Sequence, residues 1–226
     1  MKTISTKHQS PAQKAVFWII IVFSLFFFYP MLYVIINSLR ESADITRFPT
    51  GFPGSFYVGN YVKAWKEMEF PKVFFNTFVI TSAGVLGIIL TSSMCAYMLA
   101  RTDTRLSWII YSIFTFALVI PFQIIMVPIA VLASDFNLTS ISGIIPMYWG
   151  LGCPTAIFMF HGFVKSVPRE LEESAAIDGA GRFYTFFVIV LPLLRTIIAT
   201  IAVIDALWLW NDFLLPLLVV REGTIQ

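Results

Sequence analysis

Long apolar runs govern what this chain can fold into. The stretches around residues 15–36, 73–100, 107–133, 141–163 and 186–220 are each long enough to cross a hydrocarbon layer as a helix. Such a layer is about 30 Å thick and needs roughly 20 apolar residues. Inside it the backbone must satisfy its own hydrogen bonds, which continuous apolar runs do as helices. With 58% hydrophobic and 12% charged residues, the chain has too little polar surface to solvate an ordinary soluble domain. The fold class expected is all-α: a polytopic transmembrane helix bundle of five spans.

Lys2, Lys7 and Lys14 precede the first run, but its apolar stretch is too long for a signal peptide and no small-residue cleavage site follows. It reads as a retained signal anchor. Residues 1–14 are then a cytoplasmic N-terminal tail and residues 15–226 the transmembrane domain. Arg101 and Arg105, and later Lys165, Arg169 and Arg182, agree with that orientation. The loop over 37–72 carries five basic and four acidic residues, which blunts the rule there. Its aromatic, Pro- and Gly-rich sequence predicts an ordered extracytoplasmic loop. Cys95 and Cys153 fall within spans, where free cysteine behaves as a small apolar residue. Neither a disulfide nor a metal site is expected, and His161 reads as a polar group at the inner end of span four.

Between spans four and five, a loop of about 164–185 carries Glu173-Ser-Ala-Ala-Ile-Asp-Gly-Ala180. Pro168, Glu170, Glu172 and Glu173 suit a helix N-terminus, where proline is tolerated and carboxylates meet the positive end of the dipole. Asp178-Gly179 then stops the helix. Leu171, Ala175 and Asp178 recur at i, i+4 and i+7, predicting a small, weakly apolar stripe able to enter a cleft. So short a helix is marginal alone in water, so a partner or the bundle's own inner surface must fix it. From the residues alone, a plain surface helix and a docking element are equally good readings.

That motif, with Phe183, Phe186 and Leu191-Pro-Leu193 after it, resembles the EAA signature loop of binding-protein-dependent ABC importer permeases of type I. Val167-Pro-Arg-Glu-Leu-Glu-Glu173 upstream and Trp210-Asn-Asp-Phe-Leu-Leu-Pro216 downstream resemble the carbohydrate branch, typified by the maltose permease. Ser174 stands where alanine is commonest and Thr196 where a second proline is common. The resemblance implies a coupling helix seated in a groove of a cytoplasmic ATPase, with Glu173, Ala175, Asp178, Gly179 and Ala180 as coupling residues. It implies a second permease subunit in a heterodimer, a dimeric ATPase, an extracytoplasmic solute-binding protein and surrounding lipid, and no nucleic acid. ATP and magnesium would sit on the partner ATPase, with no cofactor on this chain. The implied location is a bacterial or archaeal cytoplasmic membrane. Because the family has six spans, a sixth is expected and is missing after Gln226. Asn60-Tyr61 resembles a common point of the family's surface towards the solute-binding protein; a passive interfacial loop is the alternative.

Sugars are held by planar polar groups and aromatic faces, and Gln123, Tyr148, Trp149, Trp210 and Asn211 offer both near helix breaks. These are the candidate pathway residues, with the interfacial aromatic belt as the alternative for each. A charge deep in a span costs about 2.5–3.5 kcal/mol unless it finds water or a partner. Asp205 is such a charge and is expected to face the pathway or the second permease; Asp212 reads as an interfacial cap. The small residues of spans two and four, Gly84, Gly87 and Gly152 among them, are expected to serve close helix packing.

No Gly-x-x-x-x-Gly-Lys phosphate loop exists, and no glycine is followed by lysine anywhere in the chain. The expected function is therefore a non-catalytic permease subunit of an ATP-driven importer for a carbohydrate or polyol. Three alternatives stay open: the same fold carrying an amino acid or polyamine, an ion-coupled secondary carrier, and an assembly protein without transport. The carrier would usually show inverted repeats and midplane acids in both halves.

Overall fold

The computed structural model describes residues 10–220 apart from Pro53 and Ser55. Lys2 and Lys7 of the expected tail, Pro53 of the 37–72 loop and residues 221–226 lie outside the described residues. Every regular element among the described residues is helical. The chain divides into two compact units, Met1–Val73 and Phe74–Gln226.

In the first unit, α1 (Pro11–Ser38) begins at a reciprocal cap. The Ser10 hydroxyl accepts from Gln13 N at 3.3 Å, while Gln13 Oε1 accepts from Ser10 N at 2.9 Å. Proline at the first helical position forfeits nothing there. At about 1.5 Å per residue, a helix of 28 residues exceeds the apolar thickness of a bilayer. None of its residues is buried, and Phe and Ile face outward all round, as for a helix whose surroundings are apolar.

After α1 the chain ties a polar knot. Arg40 is fully buried; its guanidinium donates to Asp44 Oδ2 at 2.7 Å, Asn37 Oδ1 at 2.9 Å and the Asp44 carbonyl at 3.1 Å. Asn60 Nδ2 donates to the carbonyls of Ser38 at 3.0 Å and Arg40 at 2.7 Å, satisfying acceptors that a helix end leaves open. The Tyr61 and Ser38 hydroxyls meet at 2.6 Å. Two short helices, α2 (Ser42–Arg47) and α3 (Gly59–Glu67), bring Asp44, Asn60 and Tyr61 into this knot.

The second unit is built on α4 (Phe70–Arg101), whose first residues belong to the preceding unit. It continues through α5 (Arg105–Ala117), α6 (Phe122–Asp135), α7 (Ile144–Ser166) and α8 (Glu170–Ile177). Then come α9 (Arg182–Tyr184), a π-helical segment (Thr185–Val190) and α10 (Leu191–Leu193). The chain closes with α11 (Arg195–Asn211) and α12 (Leu214–Val219). α7 packs against α5 and α11, α12 against α6, and α8 against the π-helical segment. Ile88, Tyr148, Ile157, Phe160 and Ile201 sit in the core.

Glycines set how closely these helices approach. A Cβ at Gly87 would overlap the Trp149 indole of α7, one at Gly84 the Leu209 side chain of α11, and one at Gly152 of α7 would meet Ile88 Cδ1 at 2.5 Å. The packing role expected of these residues is therefore met by specific partners.

The five continuous spans expected from hydropathy are not found as such. Two helices, α1 and α4, are long and apolar enough to cross a membrane, or up to four if each of two bent pairs is one span. α7, with 23 residues, is not among them. The expected third span is broken between α5 and α6 by a 106° bend. Pro121 lacks an N–H and is itself extended (ψ 138°), so α5, which ends at Ala117, does not run on into α6. The expected fifth span bends by 76° between α10 and α11, where Leu194 leaves helical geometry (φ −84°, ψ 7°) two residues after Pro192. It ends at Asp212, whose backbone is extended (ψ 124°).

Candidate functional site

The loop between α7 and α11 starts where Val167 turns extended (ψ 124°) ahead of Pro168, as the residue before proline must. α8 follows, with Glu170, Glu172 and Glu173 in its first turn. Its end is a Schellman motif: Gly179 N donates to the Ala176 carbonyl at 3.1 Å and Ala180 N to the Ala175 carbonyl at 2.9 Å. Gly179 has φ +83°, a conformation that strains any side-chain-bearing residue. The stop expected at Asp178-Gly179 thus has a specific geometry.

α8 has two distinct faces. Towards the bundle, Ala175 is buried and Glu172 is held by α4, where Arg101 Nε donates to Glu172 Oε1 at 2.7 Å and Tyr97 Oη donates to Glu172 Oε2 at 2.7 Å. Away from it, Glu173, Ser174 and Asp178 are exposed, and Ile177 is 86% exposed, the highest value among the large apolar side chains described. Neither Glu173 nor Asp178 has a side-chain partner among the described residues. The stripe expected from Leu171, Ala175 and Asp178 is therefore divided. Leu171 and Asp178 are exposed while Ala175 faces inward, because Glu172 and Ala175 fix the inner side and Asp178 caps the helix with φ −74°, ψ 2°. Ala180 is half-buried, tied by its backbone to the cap.

A cavity of about 520 Å³ opens among α5, α6, α7, α11 and α12. Of the six expected pathway residues only Gln123 lines it, together with Thr155, Trp208 and Asp212. Gly150 and Pro154 leave room on the α7 side. Asp212 is held by two donors, Tyr148 Oη to Oδ2 at 2.8 Å and Leu214 N to Oδ1 at 3.1 Å. A carboxylate accepts about four hydrogen bonds, so capacity remains for a ligand hydroxyl. Tyr148 is itself buried and meets Trp208 edge-on at 5.7 Å, which orients the indole. A fixed carboxylate, an amide, a hydroxyl and an indole around one cavity form a set able to hydrogen-bond and stack on a polyhydroxylated ring.

The other expected pathway residues serve elsewhere. Trp149 wedges against Gly87 and donates to the Ala83 carbonyl at 3.0 Å. Trp210 meets Phe74 edge-on at 5.7 Å, and Asn211 Nδ2 donates back to the Leu207 carbonyl at 2.7 Å. Asp205 is buried, with Oδ2 lacking a hydrogen-bond partner, and does not line the cavity. Trp208 and Thr155 escaped sequence reasoning; the one available signal for Trp208 was its i, i+4 spacing from Asp212. Among the described residues no group of three or more His, Cys, Asp or Glu could hold a metal. Cys153 Sγ lies 3.3 Å from Ser92 Oγ and 3.4 Å from Thr91 Oγ1, and the His161 ring stacks on Tyr111 at 3.9 Å, both as packing between helices.

The family described as "Binding-protein-dependent transport system inner membrane component" matches residues 69–225. The chain is 38% identical to a probable starch degradation products transport system permease protein of Thermoanaerobacterium thermosulfurigenes, over 89% of this chain and 74% of the relative. It is 35% identical to a multiple sugar-binding transport system permease protein of Streptococcus mutans, over 86% and 71%. It is 32% identical to a melibiose/raffinose/stachyose import permease protein of Bacillus subtilis, over 88% and 72%. Among solved structures, a bacterial ABC transporter involved in the import of the acidic polysaccharide alginate superposes with a TM-score of 0.81. That match is 22% identical and covers 97% of this chain and 80% of that one, a likeness of fold.

Proposed function

Because this chain belongs to the binding-protein-dependent transport system inner membrane components, we propose that it is a permease subunit of an ATP-driven carbohydrate importer. Relatives named as permease proteins for starch degradation products (the first as probable), multiple sugars, and melibiose, raffinose and stachyose support the cargo class. The observation that carries the mechanism is α8, pinned to the bundle by Glu172 and Ala175 while presenting Glu173, Ile177 and Asp178 to a partner. A coupling helix needs that arrangement: one face fixed to its own subunit and the other free to seat in the ATPase.

In this reading the subunit is non-catalytic, and a dimeric ATPase on separate chains binds ATP and magnesium. A second permease completes the pathway, an extracytoplasmic binding protein delivers the solute, and the N-terminus lies in the cytoplasm. ATP binding closes the ATPase pair, draws the coupling helices together and switches the permease pair between inward- and outward-open states. Glu173, Asp178, Gly179 and Ala180 act at the joint, with Ala175 seating it. Gln123, Thr155, Trp208 and Asp212 offer the solute its contacts.

The test is purification of the tagged chain from its native membrane in gentle detergent, with mass spectrometry of what accompanies it. A phosphate-loop ATPase and a second permease are expected. Uptake that proceeds without ATP and follows an ion gradient would favour a secondary carrier and defeat this reading.

A further inference from the structure

α4 and α8 are far apart in sequence, and the chain connects them only through α5, α6 and α7. In space they are joined by one compact group. Arg101, the last residue of α4, donates from Nε to Glu172 Oε1 at 2.7 Å and from Nη2 to the Val167 carbonyl at 2.9 Å. Its Nη2 also lies 2.6 Å from Glu172 Oε1. Tyr97, one helical turn earlier, donates to the other carboxylate oxygen at 2.7 Å, and its ring packs on Phe186 of the π-helical segment at 5.1 Å. The ion pair is mostly shielded, with Arg101 and Glu172 side chains 13% and 15% exposed. By contrast, the neighbouring Arg169–Asp103 pair is 52% and 82% exposed at 3.2 Å, where water and salt screen it.

A fork-shaped guanidinium bound to a carboxylate and to a carbonyl resists both sliding and rotation, unlike an apolar contact. Among the described residues, these are the hydrogen bonds that join α4 to α8. α4 is also the helix whose Gly84 and Gly87 bring it against α11 and α7. The geometry points to a force-transmitting latch: Arg101 and Tyr97 grip Glu172 so that displacement of α8 is handed directly to α4, and through it to the helices around the cavity. Arg101, Tyr97 and Glu172 are thus positioning residues for transport, with Glu172 turned away from the docking face. The inference rests on the importer reading above.

The importer is purified with its partner subunits, reconstituted in vesicles, and assayed for sugar accumulated per ATP hydrolysed. The probe is the radiolabelled sugar that the wild type accumulates from a panel of malto- and galacto-oligosaccharides. In Arg101→Gln this ratio falls about five- to tenfold while hydrolysis continues, because α8 still docks but no longer carries α4. In Tyr97→Phe it falls less, and in Arg101→Lys, which keeps the charge but loses the two-point fork, it falls to between the wild type and Arg101→Gln. A purely structural role would lower uptake and hydrolysis together and leave the ratio intact. An unchanged ratio in Arg101→Gln, or an Arg101→Lys ratio equal to the wild type, overturns the latch. If Arg101→Gln does not assemble, Tyr97→Phe decides: a lowered ratio supports the latch and an unchanged one overturns it. Failure of the importer reading has a different signature, a wild-type complex without ATP-driven uptake, and takes the latch with it.

Discussion

A methyl group added at position 87 would have to share space with the Trp149 indole, which also donates to the Ala83 carbonyl at 3.0 Å. Overpacking of that kind costs about 1–3 kcal/mol in well-packed interiors. Gly87→Leu is therefore expected to lower the thermal midpoint of the detergent-solubilised protein by several degrees, with partial recovery in Gly87→Leu/Trp149→Ala. Fluorescence-detected unfolding measures both. Gly179 is constrained by its backbone instead: nothing surrounds its Cβ position, yet its φ of +83° disfavours any other residue. The strain for an L-residue is about 1–2 kcal/mol, enough to loosen the Schellman stop at the joint. Gly179→Asp, and Asp178→Lys on the exposed rim, are expected to abolish uptake while leaving the amount of chain in the membrane fraction unchanged. Normal uptake by either variant would remove the joint from the mechanism. Both glycines could be singled out from sequence, but for Gly87 the partner was hidden. An indole 62 residues away has no local signal.

Among the elements, α8 is the most instructive, since eight residues cannot hold a helix in water unaided. Its acidic first turn and its glycine stop were legible from residue types. Which side faces the bundle was not, because Leu171, Ala175 and Asp178 share a spacing but not a neighbour. Tyr97 and Arg101 made the choice by gripping Glu172. The outward side leaves Ile177 86% exposed, and an isolated apolar side chain beside two unpartnered carboxylates suits an anchor in a partner's groove. Ile177→Asp is expected to reduce recovery of the ATPase with the tagged chain by about tenfold or more, given the usual weight of a buried anchor. The thermal midpoint of the permease alone is expected to stay unchanged, because Ile177 touches little of its own chain. The breaks at Pro121 and Leu194 belong to this scale too. Hydropathy averages across them, whereas Pro121's missing N–H and Leu194's local turn each act at one residue.

For the molecule as a whole, the 520 Å³ cavity is where α5, α6, α7, α11 and α12 of the second unit converge. Asp212 and Trp208 are both oriented by Tyr148, so the wall is preorganised rather than assembled around a ligand. Trp208→Ala and Asp212→Asn are each expected to lower uptake by about tenfold or more, as loss of a stacking face or of a fixed acceptor does. Basal ATP hydrolysis by the complex is expected to persist, which paired uptake and phosphate-release assays would check. The sequence by itself determined the helical membrane class, the acidic start and glycine stop of α8, the close-packing role of the small residues and the lack of a phosphate loop. Apolar run length, backbone hydrogen-bond closure and residue-specific φ preferences are local properties, readable without coordinates. Only the tertiary structure decided that Tyr148 supports Asp212, that Trp208 rather than Trp149 or Trp210 lines the cavity, and that Arg101 holds Glu172. Those pairings depend on the bend, rotation and depth of each helix against the next, which arise from packing across 64 to 75 residues of intervening chain.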